Sequence, residues 1–244
     1  MFARTYSRKC GKPLTRDSCA NCTKALNIAN TQADLPHLRR PTMKLLLFSD
    51  LHCDAQAARQ LIERSSSVDV LVGAGDFATA RHGIDATIRV LRSTDKPAVL
   101  VPGNSESKEE LIAACRDWSG VHVLHGSGVT IGGQYYFGIG GAVPVTPFGS
   151  WSYDFTEEQA AALLAECPAG CVLVSHSPPL GGVDADAGGC SLGSRSVREA
   201  ILRIHPRLVV CGHIHASWGK QTNIGQTPVV NAGPMGMIWE LASR

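Results

Sequence analysis

The chain has 244 residues, 44% of them hydrophobic, and a net charge of +2. That composition can bury one substantial core, and no apolar run approaches the roughly 18 residues a bilayer crossing needs, so a soluble protein is expected. The charge is uneven: residues 1–42 hold eight Lys/Arg against Asp17 and Asp34, which leaves −4 on the remainder, and a mildly acidic body lacks the clustered basic face of a duplex-nucleic-acid binder. Small phosphorylated substrates are the expected partners instead, with no membrane involved.

Residues 1–42 show little hydrophobic periodicity and end in the breaker Arg39-Arg40-Pro41-Thr42. They read as a tail, disordered or the product of a start placed too far upstream. The segment is Arg-rich and acid-poor, as a mitochondrial transit peptide is, but has no long apolar signal core. Cys10, Cys19, Cys22 and His37 offer zinc donors, yet one close doublet plus two stray residues falls short of the usual two doublets. Nine cysteines without framework spacing indicate a reduced, cytoplasmic protein.

From Met43 onward a single domain, 43–244, is expected. Strands at 44–48, 68–73 and 97–101 alternate with helices at 54–66, 82–93 and 106–116, which is the pattern of βαβ units. Beyond 120 the runs shorten to β-like segments at 121–125, 129–132 and 135–139. A helix near 156–166, a strand at 170–175, a helix near 194–204, a strand at 207–211 and β-rich closing segments follow. Two packed sheets flanked by helices would accommodate this order.

Potential metal donors fall just past the strand ends: Asp50 and His52 after the first, Asp76 after the second, Asn104 after the third, His176, His213 and His215 after later ones. In open α/β sheets the loops leaving the C-terminal ends of parallel strands converge on the ligand. Asp50-Leu51-His52 and His213-Ile214-His215 have a spacing of two, which in an extended segment puts both side chains on one face. Gly75, Gly103 and Gly212 immediately precede Asp76, Asn104 and His213 and suit turns that bring backbone close to ions or phosphate. Mixed oxygen and imidazole donors suit Mn²⁺, Fe²⁺ or Zn²⁺. Seven donors exceed one ion's needs, whereas two ions roughly 3.5–4 Å apart sharing a carboxylate would use them all.

The ordered series Asp50-x-His52, Gly75-Asp76, Gly103-Asn104, His176 and Gly212-His213-x-His215 resembles the calcineurin-like metallophosphoesterase signature. Ser175-His176-Ser177-Pro178-Pro179 and Asn231-Ala232-Gly233-Pro234 further resemble its small cyclic-nucleotide phosphodiesterase-like branch. The resemblance implies an α/β fold, a four-layer αββα sandwich. It also implies a dinuclear centre in which Asp50, His52 and His215 hold one ion, Asn104, His176 and His213 the other, and Asp76 bridges. Asp76, Asn104 and His213 would take part in catalysis, with a metal-bridging hydroxide attacking phosphorus in line.

One position departs from the family. Where the motif usually reads Gly-Asn-His-Asp/Glu, this chain has Gly103-Asn104-Ser105-Glu106. Ser105 cannot act as an acid near neutral pH, so poor leaving groups should turn over slowly and activated or strained diesters better. His82 or His125 could substitute, although both fit ordinary surface or loop positions. Arg195 could reach a substrate phosphate, but opening a helix is the plainer role. Gly189-Cys190-Ser191-Leu192-Gly193 spells a nucleophile elbow, but a Gly/Asp/Ala loop precedes it in place of a strand, no Asp follows, and the only acids downstream are Glu199 and Glu240. Its glycines suit a loop at 180–193 beside the centre. The rival reading is a nucleotide-binding or scaffold protein with weak catalysis, and the seven intact donors speak for an enzyme.

Overall fold

The computed structural model describes residues 42–242, so Cys10, Cys19, Cys22 and His37 lie outside the described residues. The first half forms β1 (Thr42–Phe48), α1 (Ala55–Ser65), β2 (Val70–Ala74), α2 (Ile84–Leu91), β3 (Ala98–Val101), α3 (Lys108–Ala114) and β4 (Val121–Val123). The second half forms β5 (Ser127–Ile131), β6 (Gln134–Ile139), α4 (Glu157–Leu164), β7 (Val172–Ser175), α5 (Arg195–Ile204), β8 (Leu208–Cys211), β9 (Gln221–Ile224), β10 (Thr227–Asn231) and β11 (Met237–Ala242).

Two sheets result, one ordered β11-β1-β2-β3-β4 and one β5-β6-β7-β8-β10-β9. Strands β1 to β4 run parallel, as do β6, β7, β8 and β10. Each sheet is covered on both faces, which is why its central strands read as unbroken apolar runs. Alternation within those runs then sorts the layers. Leu45, Leu47, Val70, Val72 and Val99 face Val172, Val174, Leu208, Val210 and Val230 between the sheets. Leu46, Phe48, Leu71 and Leu100 turn outward to Leu61, Ile88 and Leu111 of α1, α2 and α3. On the far side Phe137, Leu173 and Val209 meet Leu164 of α4 and Val197 and Ile201 of α5. The architecture is the expected αββα sandwich, and each buried Leu or Val stabilises it by about 1.5–3 kcal/mol.

Helix starts follow local chemistry. Asp54 accepts the N–H groups of Gln56 and Ala57 and caps α1, while Ser107 with Glu110 and Thr156 with Gln159 form capping boxes on α3 and α4. The sequence did not indicate how the closing segments divide. β10 inserts parallel beside β8, and β11 crosses back to pair antiparallel with β1. Among the described residues no helix is long and apolar enough to cross a membrane.

Candidate metal centre

The loops after β1, β2, β3, β7 and β8 meet in one cleft. Backbone hydrogen bonds lock them together: Asp50 N–H donates to Gly75 O, His52 N–H to Asp76 O, and Gly212 N–H to His176 O. The expected extended Asp50–His52 and His213–His215 segments are not found. Asp50, His52, Asp76 and His213 have φ of 56°, 43°, 57° and 67°, left-handed values that L residues adopt at a cost and that cluster at functional sites. The turn splits His213 from His215. The His213 ring packs beside His176 with centroids 5.0 Å apart, and the His215 ring beside His52 at 5.1 Å.

The preceding glycines are explained by contact with the donors themselves. A Cβ on Gly103 would lie 2.0 Å from Asp76 Oδ1, one on Gly75 2.6 Å from both Gly103 Cα and His176 Nδ1, and one on Gly212 2.5 Å from Asp50 Oδ2. No side chain fits at these three positions without displacing a neighbouring donor or the backbone that carries it.

Asp76 sits between two histidine groups. Its Oδ2 lies 3.4 Å from His52 Nε2 and its Oδ1 3.5 Å from His176 Nε2. His176 Nε2 is also 3.1 Å from Asn104 Oδ1, and His52 Nε2 is 3.2 Å from His215 Nε2. The other ring nitrogens are committed, His176 Nδ1 to Ala74 O at 2.7 Å and His52 Nδ1 to Ala78 O at 3.1 Å. A carbonyl can only accept, so a neutral imidazole keeps its proton on Nδ1 and turns the Nε2 lone pair toward these oxygens. Acceptors facing acceptors are what a bound cation satisfies, and backbone carbonyls orienting ligand imidazoles are the usual outer layer of a metal site. The donor atoms of Asp50, His52 and His215, and those of Asp50, Asp76 and His176, lie within 4.8 Å of one another.

The electrostatics agree. Burial and the neighbouring Asp50 carboxylate push Asp76 up to about 7. Burial and the adjacent imidazoles His176, His215 and His52 push His213 well down, leaving it neutral with a free donor nitrogen. A divalent cation relieves crowding of this kind.

Ser105 lines the cleft and gives its backbone N–H to Asp76 Oδ1 at 2.8 Å. Arg195 is not brought to it: the side chain is exposed and lines a separate shallow depression with Glu157 and Glu158. His82 is exposed and does not line the cleft. His125 accepts the Gly140 N–H and packs on Phe155, and burial and the Lys108 charge push it down to about 4. The 180–193 loop does reach the cleft, through Leu192. Its Ser191 hydroxyl is committed to Asp184, which also accepts the Gly181 and Gly193 N–H groups.

The contacts of several supporting residues were not legible in the sequence, although Asn231 stands in the motif Asn231-Ala232-Gly233-Pro234. The Trp218 indole N–H donates to Asp50 Oδ2 at 3.1 Å. Asn231 donates its amide to Gly212 O and Ile214 O, which fixes the turn around His213. Ser152 donates to Asp154 and accepts from Asn104 Nδ2 at 3.1 Å, so the Asn104 amide must present Oδ1 to His176. Apart from Ser152 and Asp154, two residues apart, these partners lie 17 or more residues from one another in sequence.

Residues 43–242 match the Calcineurin-like phosphoesterase superfamily domain. A UPF0046 protein of Caenorhabditis elegans is 27% identical over 79% of this chain and 70% of its own length. The human Metallophosphoesterase domain-containing protein 1 is 32% identical over 54% of this chain, a stretch that spans only 39% of the human protein. The crystal structure of TT1561 of Thermus thermophilus shares the fold, with a TM-score of 0.63 over 79% of this chain and 90% of that one at 18% identity.

Proposed function

The chain belongs to the calcineurin-like phosphoesterase superfamily, and from that premise we propose that it is a metal-dependent phosphodiesterase acting on small phosphoesters or nucleotides. Asp50, His52 and His215 would hold one divalent ion, Asn104, His176 and His213 a second, and Asp76 both. The observation that carries this reading is the Asp76 carboxylate, with one oxygen toward His52 and the other toward His176. Mixed nitrogen and oxygen donors favour Mn²⁺, Fe²⁺ or Zn²⁺. When bound, such ions supply Lewis acidity and lower the pKa of a water to the neutral range, as in-line displacement at phosphorus requires.

The chain's own residues do the positioning. Ala74 and Ala78 carbonyls aim His176 and His52, Ser152 aims Asn104, and Trp218 with the His213 N–H holds Asp50. His213 and His215 open directly onto the cavity where a phosphoryl group would sit. Ser105 stands where a histidine would serve as proton donor, so the reading favours substrates whose leaving group needs no protonation.

The test is hydrolysis of bis-p-nitrophenyl phosphate, p-nitrophenyl phosphate and 2′,3′- and 3′,5′-cyclic nucleotides with Mn²⁺ or chelator. Wild type should cleave diesters only with metal, and Asp76→Ala should abolish this. Folded, metal-loaded protein that turns over none of them would overturn the reading in favour of a nucleotide-binding or scaffold role.

A further inference from the structure

The cavity beside the proposed centre, about 570 Å³, has a polar floor and an apolar wall. The floor is His52, Asp76, Asn104, His213 and His215. The wall is Val145, Phe148 and Trp151 from the β6–α4 loop with Leu192 from the β7–α5 loop. Among the described lining residues none is a lysine or arginine.

We propose that this site selects phosphodiesters carrying a flat, uncharged aromatic group, and that Phe148, Trp151 and Leu192 determine that selectivity. The proposal rests on the phosphodiesterase reading and adds the substrate class. Phe148 and Trp151 stack on each other, centroids 5.6 Å apart and planes within 10°. A ligand ring therefore packs on the open side of the pair, not between its members. The pair is 49% and 37% exposed, Leu192 48% and Val145 59%. Exposed apolar side chains gathered beside a polar centre characterise a ligand groove.

The wall is tied to the centre and is not a loose flap. Asp154 accepts the Thr146 N–H at 2.7 Å and the Ser152 hydroxyl, Ser152 accepts from Asn104, and Tyr153 N–H donates to Asn104 O at 3.0 Å. The segment bearing both aromatic rings thus hangs from a proposed metal donor, which sets the distance between phosphorus and ring. Charge narrows the class further. No Lys or Arg among the described lining residues offers a second anion-binding point beyond the proposed centre, so the cavity has nothing to hold the further phosphates of a polyphosphate.

The experiment is calorimetric titration of the Mn²⁺-loaded full chain with diphenyl phosphate, dimethyl phosphate, phenyl phosphate and inorganic phosphate. Diphenyl phosphate should bind at least tenfold more tightly than dimethyl phosphate, and phenyl phosphate more tightly than inorganic phosphate, at pH 8. The Phe148→Ala/Trp151→Ala double variant should lose most of the first preference while dimethyl phosphate affinity stays unchanged. Leu192→Ala, on a different loop, should lose part of it. Equal affinities, or a preference that survives both variants, would overturn the proposal. Preferential binding without hydrolysis of any diester would leave it standing and remove the phosphodiesterase reading, whereas hydrolysis of bis-p-nitrophenyl phosphate without preference would do the reverse.

Discussion

The buried Glu106 carboxylate accepts the backbone N–H of Asp76 at 2.9 Å through the same oxygen that takes the Gly103 N–H at 2.7 Å, while its other oxygen takes the Ala78 N–H at 2.9 Å. One side chain therefore ties the loops after β2 and β3 together beneath the proposed metal donors. Burial and the Asp76 charge push Glu106 up to about 7. In Glu106→Gln the amide NH₂ must face a backbone N–H whichever way it turns. Leaving a buried donor unpaired costs about 1–3 kcal/mol, and loss of an outer support typically costs 10–100-fold in metal affinity. Thermal denaturation and Mn²⁺ titration of the variant should show both effects together.

Gly103→Ala tests the close approach of the β3 loop to Asp76. The added methyl would lie 2.0 Å from Asp76 Oδ1 and 2.2 Å from its N, and backbone cannot yield as a flexible side chain can. Overpacking of this kind costs about 1–3 kcal/mol and should displace the carboxylate enough to lower metal content. Gly133→Ala, whose Cβ meets nothing within 4 Å, should lose stability only through its positive φ and keep full metal content. Equal metal content in both variants would sink the idea.

The fold was largely legible because both sheets are covered on both faces, so Leu45–Phe48, Val70–Ala74 and Val172–Ser175 appear as apolar runs between helical patterns. Their C-terminal ends located Asp50, Asp76 and His176 in advance. The conformation of those loops was not legible: a spacing of two at Asp50 and His52 looks extended, and only the contacts with Gly75 and Asp76 backbone show why left-handed turns are adopted. Trp218, Ser152 and Asn231 reach their partners across long sequence separations, which no local pattern encodes. β11 returning to β1 was hidden for the same reason.

Ser105→His restores the side chain the family motif usually carries. Ser105 lines the cavity and its N–H already holds Asp76 Oδ1, so an imidazole placed there points over the proposed centre. General acid catalysis is typically worth about 10²–10⁴-fold. The variant should therefore raise kcat on diesters with poor leaving groups by tenfold or more, with little change on bis-p-nitrophenyl phosphate. An equal rise on both substrates would show that protonation of the leaving group is not what Ser105 lacks.

Glu157 joins two helices and yields a pH-dependent stability. Its carboxylate accepts the Arg195 and Ser196 N–H groups and the Ser194 hydroxyl, each at 2.8 Å, at the N-terminus of α5, where negative charge is favoured. Burial raises its proton affinity, but the hydrogen bonds from Ser196, Arg195 and Ser194 outweigh it and hold the carboxyl below its ordinary 4.5. A depressed folded-state pKa means the contribution is complete above about 4.5 and is lost as pH falls through the folded value. Because the group is partly exposed and screened, Glu157→Gln should cost about 1 kcal/mol at pH 7, a fall in Tm of roughly 2–4 °C. The difference between wild type and variant should shrink progressively as pH falls below 4.5. Melting curves across pH 3–7 read this directly, and a gap independent of pH would show that packing of the side chain, not its charge, supports α5.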